Sequence, residues 1–91
     1  MNYIVEICDD DRKQVQVLND YIDNVIFKTN HDIRVIKAYA GEELLNKLTS
    51  KEEGIGIEDI DIFLLDIEMN EINGIDLAKK IKEKNRKAII A

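Results

Sequence analysis

The chain has 91 residues, with 13 Lys and Arg against 19 Asp and Glu, for a formal net charge of −6. Hydrophobic residues make up 45% and charged residues 35%, which suits one domain over residues 1–91 with a single core and does not suit a disordered chain. The acidic balance argues against a phosphate-backbone binder, which would present a basic face. No apolar run reaches the length of a membrane span and no basic-then-apolar leader opens the chain, so a cytoplasmic domain without membrane contact is expected.

The elements alternate. Tyr3–Cys8 is short, mostly apolar and stops at Asp9-Asp10-Asp11, which predicts a buried strand. Val15, Leu18, Ile22, Val25 and Ile26 then recur at steps of three and four, the spacing of one helix face. Asp10 or Asp11 would cap that helix, placing negative charge at the positive end of its dipole. Ile33–Tyr39 is β-branched and predicts a second strand, and Gly41-Glu42-Glu43 opens a second helix with Leu44, Leu45 and Leu48 inward. Residues 50–59 hold two glycines and read as a solvated loop. Ile60–Leu65 is the most apolar strand segment and stops at Asp66. A loop to Asn73 follows, then Gly74 and a third helix with Ile75, Ala78 and Ile81 on one face and Lys79, Lys80, Lys82, Lys84 and Lys87 outside. Ala88–Ala91 begins a fourth strand.

Three βα units and a further strand imply an α/β fold with a parallel sheet, right-handed crossovers and helices on both faces. Function in such sheets sits at the carboxyl ends of the strands. Two strands end in acids there, Asp9-Asp10 and Asp66. Gathered carboxylates raise one another's pKa and cost stability, so the cluster calls for a hard cation such as Mg²⁺. A carboxylate so placed can also act as a nucleophile toward phosphorus. The plainer explanation is that acids cap helices and line solvated strand ends; two clusters closing two apolar strands weigh against it.

The runs Ile4-Val5-Glu6-Ile7-Cys8-Asp9-Asp10-Asp11, Asp61-Ile62-Phe63-Leu64-Leu65-Asp66-Ile67-Glu68-Met69 and Asn73-Gly74-Ile75-Asp76-Leu77 resemble the response-regulator receiver domain. In wording they are most similar to receivers that precede LytTR-type DNA-binding domains. The resemblance implies a three-layer flavodoxin-like, CheY-like sheet, here of strand order 2-1-3-4. It implies that Asp66 is the phosphoacceptor and that Asp9, Asp10, Asp66 and the backbone carbonyl of Glu68 hold Mg²⁺, with Asp10 the more direct ligand. It gives Gly74 the role of letting the loop turn into the third helix. The phosphodonor would be a phosphohistidine on a sensor histidine kinase. The chain would be a switch module in two-component signalling and not a conventional enzyme.

The family commonly has proline four residues after the acceptor, where this chain has Asn70. Its members continue past strand four to a Thr or Ser, then a fifth strand ending in Lys, then a last helix. Measured against them the chain is expected to be truncated within strand four and to lack that hydroxyl, that Lys, the fifth strand and the last helices. Lys87 precedes strand four and lies at the wrong end to substitute. An exposed strand-four edge invites self-association. Two other classes compete: a truncated receiver acting only as an interaction fragment, and a haloacid-dehalogenase-type phosphatase. The phosphatase requires a second Asp two residues after the nucleophile, and here that residue is Glu68. Cys8 is expected to be a core residue, His31 a solvated loop residue, and the lysine-rich helix a solvated face that binds no nucleic acid. The scattered Tyr3, Tyr21, Tyr39, Phe27 and Phe63 are expected to pack.

Overall fold

A computed structural model describes residues 2–69 and 72–91; Asn70 lies outside them. In chain order the elements are β1 (Asn2–Cys8), α1 (Arg12–Thr29), β2 (Asp32–Ala38), α2 (Gly41–Thr49), a 3-10 turn (Ile57–Asp59), β3 (Ile62–Leu65), α3 (Gly74–Lys84) and β4 (Ile89–Ile90). The sheet order is β2-β1-β3-β4 and every pairing is parallel. The parallel sheet is the one that the alternating pattern predicts, and its order is the flavodoxin-like one that the resemblance implies.

Side chains alternate across β1 because a strand has a period of two. Val5 and Ile7 face α1, where they pack with Val15 and Ile22. Cys8 faces the other way, into the larger core under α2 and α3 with Leu44, Phe63, Leu77 and Ile81. Asp11 is the N-cap of α1, its carboxylate accepting from the N–H groups of Lys13 at 2.9 Å and Gln14 at 3.4 Å. At the other end Asn30 closes the helix in the left-handed region, at φ 60°.

Four readings are corrected. Residues 50–59 are not simply a solvated loop: Ile55 and Ile57 are buried and belong to the larger core. Glu52 and Ile55 exchange backbone hydrogen bonds of 3.0 and 2.9 Å, which turns the chain inward. Asn85 then donates to the carbonyls of Ile57 and Ile60, both at 2.9 Å, satisfying backbone oxygens that no ladder reaches. Because the Ile60 N–H is used to close the 3-10 turn on Ile57, β3 starts at Ile62 and not at Ile60.

On α3 the inward residues are Leu77 and Ile81, one turn apart, while Ile75 is 52% exposed. The lysines Lys79, Lys80, Lys82, Lys84 and Lys87 are all exposed, as a solvated face requires; Lys82 also donates to the carbonyl of Ala88 and Lys84 to that of Leu48, at the end of α2. Among the aromatics Phe63 is buried, but Tyr21 and Phe27 are 68% and 88% exposed on the outer side of α1.

Candidate functional site

The register of the two central strands builds the site. Cys8 is paired with Leu65, so the next residues, Asp9 and Asp66, leave the sheet side by side. The ladder runs on past the strands: Asp66 N–H donates to the Cys8 carbonyl at 3.0 Å and Asp9 N–H to the Ala38 carbonyl at 3.1 Å. One carboxylate oxygen from each of Asp9, Asp10 and Asp66 lies within 4.8 Å of the others. Asp9 is buried, Asp66 half-buried and Asp10 exposed, so the cluster opens outward at the carboxyl ends of the strands.

Burial pushes the Asp9 carboxyl above its ordinary value of 3.8. The Asp11 N–H, at 2.9 Å from Asp9 Oδ1, pulls the other way, while the charges of Asp66, Asp10 and Asp11 add to the rise. The three oxygens come without a lysine or arginine in an ion pair with them among the described residues. An all-oxygen donor set of this kind fits a hard divalent cation.

The loop after β3 is held in place by backbone contacts. Asp66 Oδ1 accepts from the Glu68 N–H at 3.2 Å, Glu68 bridges Asn73, and the Gly74 N–H donates to the Ile67 carbonyl at 3.1 Å. Asn73 caps α3 by accepting from the Ile75 N–H at 2.8 Å. Gly74 is required for a reason other than the turn. Its backbone is not in the left-handed region, but a Cβ there would stand 2.5 Å from the Asp66 carbonyl oxygen and 2.7 Å from the Ile67 Cα. Any side chain there would force the start of α3 and the Asp66–Ile67 backbone apart.

Cys8 is the packed core residue that the sequence implies. Burial pushes its thiol up to about 12, with Glu6 the next cause, and its Sγ lies 3.7 Å from both the Ala40 carbonyl and the Met69 Sδ. His31 is exposed, its ring edge-on to Tyr3 at 6.0 Å. Lys87 lies before β4, at the end of the sheet opposite Asp66.

Sequence reasoning missed one charged feature of the core, the pair formed by Glu6 and Lys47. Glu6 is 0% and Lys47 4% exposed, with Lys47 Nζ at 2.5 Å from Glu6 Oε1. The available signal was an acid on the inward face of an apolar strand.

The family model for the response regulator receiver domain matches residues 5–91. No curated protein matches the sequence. No helix among the described residues is long and apolar enough to cross a membrane.

Proposed function

The chain belongs to the response regulator receiver family, and from that membership and its converging carboxylates we propose that Asp66 accepts a phosphoryl group from a phosphohistidine of a sensor histidine kinase. The observation that carries this reading is the meeting of Asp9, Asp10 and Asp66 oxygens within 4.8 Å at the end of the two central strands. Asp9, Asp10 and Asp66, with the backbone carbonyl of Glu68, would hold Mg²⁺. Bound there, the cation supplies positive charge against three carboxylates and the incoming phosphoryl oxygens.

The protein's own part is positioning. The Glu68 N–H holds Asp66 Oδ1, which leaves Oδ2 to attack phosphorus as the bond to the donor imidazole nitrogen breaks. Burial of Asp9 keeps one wall of the pocket fixed, and the exposed Asp10 leaves the mouth open to a donor. The molecule is a phosphoryl-accepting switch and not an enzyme that turns over a separate substrate. We place it in the cytoplasm, as a single domain over residues 1–91, nearest in kind to receivers of LytTR-type regulators.

Self-association belongs to the same reading. Among the described residues β4 pairs with β3 alone, and its Ile89 is 61% exposed, so its outer edge is open to another strand. Sedimentation over the micromolar range is expected to show a concentration-dependent dimer, and an invariant monomer would remove this part.

Intact-mass measurement after incubation with Mg²⁺ and acetyl phosphate tests the central claim. A labile phosphoryl adduct that Asp66→Asn abolishes is the expected result. An adduct that survives in Asp66→Asn would move the acceptor elsewhere, and no adduct together with no Mg²⁺ binding would leave a pure interaction module. Steady phosphate release from a generic ester would favour a hydrolase.

A further inference from the structure

Glu6 and Lys47 are the only oppositely charged pair among the described residues in which both side chains are buried. Two features set the pair apart from a simple stabilising bridge. Glu6 Oε2 is buried without a hydrogen-bond partner among the described residues, so half of the carboxylate is desolvated and uncompensated. Burial also outweighs the pull of Lys47 and raises the Glu6 carboxyl above its ordinary value of 4.5. A buried pair of this quality is weak as a source of stability, because two desolvated ions regain little more than their desolvation cost.

The position of the pair is more telling. Glu6 lies on β1 and Lys47 near the end of α2, 41 residues apart in sequence. The opposite end of α2 borders the site: the Ala40 carbonyl touches Cys8 Sγ, and at Gly41 a Cβ would lie 3.0 Å from Ile72, in the loop that follows Asp66. Apolar packing between α2 and the sheet is non-directional and would tolerate a shifted helix; a single ammonium–carboxylate contact would not.

The geometry points to an alignment pin: Glu6 and Lys47 fix where α2 lies on the sheet, and so where its first turn meets the Asp66 loop, without adding net stability. Other charges face the pair. Glu43 on α2 and Glu52 beyond it repel the Glu6 charge, Glu52 lies 3.9 Å from Lys47 Nζ, and Lys37 of β2 and Lys51 line the groove outside. None of them reaches Glu6 Oε2. The pin is independent of the acceptor reading, since it is tested on fold alone.

The test compares the native protein with Lys47→Met and with the double variant Glu6→Met/Lys47→Met, by denaturant unfolding and by amide NMR of α2. Lys47→Met strands a buried carboxylate, so its midpoint should fall well below native at about pH 8 and recover toward about pH 5. The sign follows from a carboxyl whose folded pKa is raised: stability is present when it is protonated and lost as pH rises through that pKa. If Lys47→Met is unfolded at the higher pH, its refolding at the lower one is the same result. The double variant should unfold at or above the native midpoint while its α2 amides, Gly41 to Thr49, broaden or split and those of α1 stay sharp. A double variant as unstable as Lys47→Met at pH 8 would show that the pair adds net stability. A double variant with single, sharp, native-like α2 resonances would show that apolar packing alone sets the helix. Either outcome overturns the pin.

Discussion

Two acidic regions of this molecule are treated in opposite ways. Inside the core, Glu6 has a lysine of its own at 2.5 Å. At the strand ends, three carboxylates converge and no lysine or arginine pairs with them among the described residues. Both arrangements carry a desolvation or repulsion cost. The interior charge is balanced by the fold itself, whereas the rim charge is the one that we propose a cation from solution balances. On that proposal the strand ends, and not the more deeply buried Glu6, are where the molecule takes something up.

The largest test of the contrast is Asp66→Asn, which should abolish the phosphoryl adduct while leaving the fold intact, as read by intact mass and circular dichroism. Gly74→Ala comes next. With only 2.5 Å between the new Cβ and the Asp66 carbonyl, overpacking should lower stability by about 1–3 kcal/mol in denaturant unfolding and displace the acceptor loop. Asp11→Ala removes the cap of α1 and should cost about 1 kcal/mol in the same assay, with labelling at Asp66 preserved, because Asp11 is balanced by helix N–H groups and not by the cation. Smallest in stability is Asp10→Asn. Relief of like-charge repulsion at an exposed site should raise the midpoint without Mg²⁺ slightly, by about 0.5 kcal/mol or less, while weakening Mg²⁺ binding by calorimetry. Unchanged Mg²⁺ affinity would take Asp10 out of the proposed ligand set.

The parallel sheet was legible from alternation, in which apolar strands that end abruptly in acids are separated by stretches with helical spacing; the strand order, which makes β1 and β3 neighbours and so brings Asp9, Asp10 and Asp66 together, came from the family resemblance. Four features were not legible. Ile55, Ile57 and Ile60 follow neither a strand nor a helix period, and they are placed by turns and by the Asn85 amide, which no local pattern announces. The inward face of α3 was misjudged because Ile75 and Leu77 differ only in which side of the first turn meets the sheet. The Glu6–Lys47 pair joins two elements far apart in sequence, so Glu6 alone could be seen, as an acid interrupting an apolar strand. The steric demand at Gly74 likewise depends on how closely the Asp66 backbone passes, which only the folded loop reveals.

The position of β1 between β2 and β3 has a consequence for how the protein is made. Synthesis runs from the amino terminus, so β1 and β2 can close their seven-residue register before β3 leaves the ribosome. At that stage Asp9 and Asp10 face water, and no second acidic strand end lies beside them. Repulsion with Asp66 begins only when β3 docks on the open side of β1. A divalent cation bound there as proposed would be a ligand of the step that docks β3 on β1: by mass action it would favour that step and do little for the first pair of strands.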